Sequence, residues 1–165
     1  MKLHGMVYSF NCDDVFFLKV VGAVNYETVE RVTEIIREYY LERNEFIIVY
    51  DLNEFGLLTM DVVNLIKESE IEEQEKGKVC TIILTKEKNF ITDISFDILS
   101  ISLDNNTAHP NYFIVETLSD VTDLIDSYGF KTKGFIEEYK QFIKTLEQNE
   151  DVSKYDLLIN ERYHI

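Results

Sequence analysis

The chain predicts an α/β fold: a small, mainly parallel (mixed) sheet flanked by helices, with an added C-terminal helix. Three observations carry that prediction. The runs "EFIIVYDL" and "KVCTIILT" are short and nearly continuously apolar, the pattern of strands buried on both faces. Amphipathic stretches with helical spacing alternate with such runs, which implies crossover connections and parallel pairing. One proline and six glycines in 165 residues argue against long linkers or low-complexity segments.

The elements follow in order. "GMVYSFNCDDVFFLKVVGAV" reads as two strands joined by a turn at Asn11–Asp14, where Asn and Asp supply the turn chemistry. "NYETVERVTEIIREYYLER" predicts a helix. Asn25 caps it, Glu27 and Glu30 favour its positive end, and Val29, Val32, Ile36 and Tyr40 form its apolar stripe. Arg37 and Arg43 suit its C-terminal half. After "EFIIVYDL" comes a predicted loop, "NEFGLL", and then a helix from Thr59 to about Lys76, closed by Gly77. Its expected apolar side is Met60, Val63 and Ile66, while Glu68, Glu70, Glu72, Glu73 and Glu75 crowd its later turns.

Beyond the strand "KVCTIILT", the stretch "NFITDISFDILSISL" sets Phe90, Ile94, Ile98 and Ile101 on one helical face. A loop at Pro110 leads into the strand "YFIVE", and "TLSDVTDLIDSYG" predicts a capped helix ending at Gly129. The expected division is residues 1–130 as the α/β unit and 131–165 as a helix and tail packed on it or on a partner. In that last part Phe135, Tyr139, Phe142 and Leu146 repeat at helical spacing, a stripe that needs a cover. Its two candidate covers are the chain's own sheet and a second copy, which would make it an oligomer face.

Composition bounds the function. A chain of this length buries roughly 70% of its unfolded surface, and 45% hydrophobic content supplies the core. The formal net charge is −15, with 24 acidic and 11 basic side chains in residues 1–131 against 7 and 5 in residues 132–165. Such a surface repels phosphate backbones, so no nucleic-acid partner is expected; a basic protein surface would be steered towards it. Cys12 and Cys80 stand alone, without a CxxC or Cys/His cluster, the usage of free thiols in a reducing cytosol. No stretch has membrane-spanning length and "MKLHGMVYSFNCDD" lacks a signal-peptide core, so a cytoplasmic protein is expected.

Four stretches, "FLKVVGAVNYETVERVTEIIREYY", "FIIVYDLNEFGLLTMDVVNLI", "KVCTIILT" and "YFIVETLSDVTDLIDSYG", together resemble the STAS domain, and more closely its SpoIIAA-like branch. The resemblance runs from about Phe16 to Tyr128, with Gly22, Asp51-Leu52 and "ETLSDVTDLI" echoing family residues. It implies a non-enzymatic protein-interaction or signalling module. The family's anti-sigma-factor antagonists carry a phosphorylatable serine where the second helix starts, in a stretch close to Asp-Leu-x-x-Val-x-Phe-Asp-Ser-Ser-Gly, whereas SpoIIAA-like relatives often lack it. Here Thr59, Met60 and Asp61 fall near Asp-Ser-Ser, so the phosphoacceptor position carries Asp61, within a residue either way. The SpoIIAA-like branch also resembles lipid-binding CRAL-TRIO domains in fold. That implies an alternative, a small-molecule or lipid carrier with a pocket walled by Phe90, Ile94 and Ile98.

Each candidate has a plainer reading beside it. Asp61 complements the helix dipole, worth about 0.3–1 kcal/mol, and Thr59 is a natural N-cap. Asp51, Asn53 and Glu54 are expected as a loop at the strand's carboxyl end, where α/β ligands gather. A weaker enzyme reading pairs Asp51 with Asp61 for acid–base or metal work, but no metal-ligand spacing accompanies them. His4, His109 and His164 suggest no triad, and no phosphate-binding glycine motif occurs. No catalytic residue, cofactor or metal is therefore predicted; the candidate partner surface is Thr59, Met60 and Asp61.

Overall fold

The computed structural model describes residues 5–56, 59–86 and 112–157. Two strands open the chain, β1 (Met6–Cys12) and β2 (Val15–Gly22), paired antiparallel from Met6↔Val21 to Cys12↔Val15. The turn between them is Asp13–Asp14, with Asp13 at φ 51°, a conformation that Asp tolerates better than most residues. Then follow α1 (Tyr26–Tyr40), β3 (Phe46–Phe55), α2 (Met60–Glu75), β4 (Lys78–Leu84), β5 (Tyr112–Val115), α3 (Leu118–Ser127) and α4 (Lys133–Glu147). The sheet order is β1-β2-β3-β4-β5, and every pairing after the first is parallel. A mixed, mainly parallel sheet is thus present, with the expected C-terminal helix.

The starts of α1 and α3 are capped by side chains. Asn25 Oδ1 accepts from the Thr28 amide at 2.8 Å, and the Thr117 hydroxyl oxygen accepts from the Asp120 amide at 3.1 Å. Gly77 takes φ 114° after α2, and a Cβ there would meet the Asn44 carbonyl oxygen at 2.0 Å. Only glycine fits that chain reversal.

Strand alternation sends the two sides of the sheet to different helices. Val15, Phe17, Ile47, Val49 and Ile82 pack with Val121 and Ile125 of α3 and Phe135 and Phe142 of α4. Phe16, Leu18, Phe46 and Ile48 pack with Ile36, Tyr39 and Tyr40 of α1, while Val63 of α2 meets Ile83. Phe135 and Phe142 are 1% and 0% exposed, and Tyr139 and Leu146 pack against the same cluster. The α4 stripe therefore closes over its own sheet rather than standing open for a second copy. The tail returns to the edge strand β1, where the Ser9 amide donates to the Tyr155 carbonyl at 2.8 Å.

Two expectations are corrected. The strand after Glu45 does not stop at Leu52: a register shift beyond Lys19 lets β3 pair on, Val21 with Glu54 and Gly22 with Phe55. Met60 does not join the apolar side of α2; it is 60% exposed, and the fully buried Val62 takes that role beside Val63. The predicted helix containing Phe90, Ile94 and Ile98, and all three histidines, lie outside the described residues.

Candidate functional site

The carboxyl ends of β2 and β3 hold the first group of predicted residues. Asp51 is 2% exposed, not a loop carboxylate. Its Oδ2 pairs with the buried Lys19 Nζ at 3.2 Å, and its Oδ1 accepts from the Asn53 amide and side chain at 3.0 and 2.9 Å. Lys19 also reaches the exposed Glu54 at 3.1 Å. Asn53 in turn accepts, through Oδ1, from the Lys86 amide after β4. Asp51 thus ties two strand ends together.

At the start of α2, Thr59 sits at the N-cap with extended backbone (φ −91°, ψ 161°), yet its side chain makes no capping bond to a main-chain amide. The hydroxyl donates instead to Asp61 Oδ1. That bond, with help from the main-chain N–H groups of Val62 and Asp61, holds the Asp61 carboxyl below its usual pKa. Asp61 is solvent-exposed and Asp51 is buried, and they share no hydrogen-bond partner. The structure does not assemble the carboxylate pair that an enzyme reading requires. What it does bring together, in the first turn of α2, is an exposed methionine with an ionised carboxylate.

A second constellation lies deeper, on the same sheet face. Glu70 and Glu73 of α2 and Lys78 at the start of β4 are 2%, 2% and 6% exposed. Lys78 Nζ donates to Glu73 Oε2 at 2.8 Å and to Glu70 Oε2, which also accepts from the Thr81 hydroxyl at 3.3 Å. Ser69 donates to Glu73 Oε1 at 3.1 Å. Two buried carboxylates thus share one buried ammonium. Burial, reinforced by the charge of Glu70, pushes Glu73 up to about 7, although Lys78 pulls it down. Burial opposes the Lys78 ammonium, yet the two glutamates hold it above the ordinary lysine value.

Next to this cluster is a cavity of about 110 Å³ between α1, α2 and the sheet, walled by Val20, Val29, Val32, Leu52, Ile66 and Ile83, with Glu70, Thr81 and Tyr112 at its polar end. Its volume is somewhat below that of an engineered cavity of roughly 150 Å³ that takes up benzene. This is room for a ring-sized group, not an acyl chain.

The sequence sets Glu70 and Glu73 only among the glutamates that crowd the later turns of α2. Val63, Ile66, Glu70 and Glu73 follow one helical face at 3-4-3 spacing, so the apolar stripe runs into two acids. A lysine opening the buried strand "KVCTIILT" was the companion signal. The Glu73 state has a measurable consequence. Between about 4.5 and about 7 the folded chain holds a proton that the unfolded chain has released, so stability falls as pH rises through that window. Glu73→Gln removes this slope and is expected to raise stability at pH ~8 by roughly 1–3 kcal/mol. Urea denaturation at acidic and alkaline pH reads both effects; a slope unchanged by the substitution would contradict the assignment.

The remaining chemistry is quiet. Cys12 and Cys80 are free thiols, and burial pushes both up, Cys80 to about 12, so neither is a ready nucleophile. Among the described residues, no group of three or more His, Cys, Asp or Glu could hold a metal ion, and no helix is long and apolar enough to cross a membrane.

Three solved structures share this architecture. The anti-sigma factor antagonist SpoIIAA in its unphosphorylated form matches with a TM-score of 0.51 at 13% identity, covering 73% of this chain and 97% of that one. An anti-sigma factor antagonist from Mycobacterium paratuberculosis matches at 0.51 and 15% identity, covering 76% of this chain and 97% of that chain. An uncharacterized protein with a SpoIIAA-like fold from Shewanella loihica matches at 0.53 and 15% identity, covering 75% and 96%. The chain has a SpoIIAA-like fold, in agreement with the resemblance drawn from its sequence. No family model matches it, and no curated protein matches it.

Proposed function

We propose that this chain is a non-enzymatic, cytosolic protein-interaction module of the signalling type. Its contact surface is the end of β3 with the first turn of α2: Asn53, Glu54, Thr59, Met60 and Asp61. The observation that carries the reading is Met60, 60% exposed in a helix's first turn next to an ionised Asp61. A flexible thioether flanked by fixed charge suits recognition of a protein surface. Two of the similar structures are anti-sigma factor antagonists. The sequence resemblance to STAS domains implies that Asp61 falls, within a residue either way, near that family's phosphoacceptor position. A carboxylate has one negative charge where a phosphoserine has about −1.5 to −2, so Asp61 makes a constitutive, partial mimic instead of a switch. The net charge of −15 favours a partner with a basic rim. Two free thiols suit a reducing compartment.

The test uses affinity capture from the native host with the wild type, Met60→Glu and Asp61→Lys in parallel, followed by calorimetry with the captured protein. Both variants are expected to fold normally and to weaken binding about tenfold or more, roughly 1.4 kcal/mol or greater. A protein bound equally by all three would place the contact elsewhere.

A further inference from the structure

Among the described residues, the cavity between α1, α2 and the sheet joins hydrocarbon walls to a buried carboxylate cluster with more acids than bases. Glu70 and Glu73 share Lys78, and both glutamates are 2% exposed. With both ionised, the cluster has one negative charge in excess, in a setting where an uncompensated charge costs several kcal/mol. Two things cancel it: a proton, or a second cation. Of the two acids, Glu70 is the one that lines the cavity. A cation entering there meets Glu70 and leaves Lys78 to Glu73.

We infer that this cavity binds a small primary amine with a compact branched or aromatic hydrocarbon body, its ammonium seated on the Glu70 carboxylate. Acceptor capacity allows it. A carboxylate offers about four lone-pair sites, and Glu70 receives Lys78 and Thr81, both on Oε2. Tyr112 and Tyr50 stay protonated, because burial and then the negative charge of the glutamates push both well up. They add donors and polarity, not further charge.

The walls select the body of the ligand. Val20, Val29, Val32, Leu52, Ile66 and Ile83 offer no donor or acceptor from their side chains. The Thr33 hydroxyl is spent on the Val29 carbonyl at 2.8 Å. A volume of about 110 Å³ admits a group of ring size. An anion is repelled by the cluster. A hard metal ion finds a single lining carboxylate, far short of the six or more oxygens it takes. The gap between the helices is also braced: the Arg37 guanidinium grips Glu72 with two bonds of 3.0 and 2.9 Å, joining α1 to α2. This site is separate from the surface proposed above, and either can fail without the other.

The experiment follows amide NMR spectra of the full chain during titration with isoamylamine, its neutral isostere isoamyl alcohol, and isovalerate. The expected result is saturable shifts around Val29, Ile66 and Ile83 with the amine, binding about tenfold tighter than the alcohol, and none with isovalerate. Glu70→Gln should bring the amine down to the level of the alcohol. Val29→Phe, which fills the cavity from the half-buried face of α1, should abolish binding of both. Should Glu70→Gln fail to fold, the three-probe comparison and Val29→Phe decide alone. Alcohol binding as well as the amine, amine binding that survives Val29→Phe, or no saturable shift at millimolar amine would each overturn the inference.

Discussion

Lys78→Met is expected to lower the unfolding free energy by about 3–5 kcal/mol at neutral pH, the cost of breaking a buried ion pair by removing one partner. Methionine matches the lysine stem in bulk, so packing is kept while the charge is lost. Glu70 and Glu73 then face each other in the interior without the ammonium that Lys78 brings at 2.8 Å from Glu73. Both would have to take up protons on folding. A carboxylate whose folded pKa is raised contributes least above that pKa, so the deficit should be largest at alkaline pH and shrink on acidification. Urea denaturation across pH measures this. A loss below ~1 kcal/mol that does not vary with pH would mean that the glutamates reach solvent.

Phe142→Ala is the second large effect, about 3–5 kcal/mol for deleting a buried aromatic side chain. Phe142 is fully buried, and its ring lies 5.0 Å from Tyr155, 5.7 Å from Phe17 and 5.8 Å from Tyr8. It thereby joins α4, the sheet and the returning tail. Equilibrium unfolding should stay a single transition with its midpoint lowered. A cost under ~1 kcal/mol, or a separate early transition for the C-terminal part, would show that α4 contributes little to the core it covers.

Much of this architecture is legible in the residues themselves. "EFIIVYDL" and "KVCTIILT" announce buried parallel strands because neither face is polar, and Asn25, Thr117 and Gly77 mark helix ends through local chemistry. The family resemblance likewise leads to the SpoIIAA-like fold. What escaped depends on contacts distant in sequence. Asp51 reads as a loop acid because Lys19, its counter-ion, is 32 residues away. Glu70 and Glu73 read only as acids crowding the later turns of α2, because their partner Lys78 opens the next strand. Met60 reads as core by spacing, yet it is exposed and Val62 fills the core instead. Thr59 reads as a cap, but the nearby Asp61 carboxylate captures its hydroxyl.

The central claim is that β3's end and α2's first turn form the contact surface. The most direct measurement is hydrogen exchange of the chain, alone and saturated with its captured protein partner. The account predicts slowed exchange concentrated at residues 53–56 and 59–66, with α4 unchanged. Protection confined to β5 or α4, with residues 59–66 exchanging as in the free chain, would contradict it.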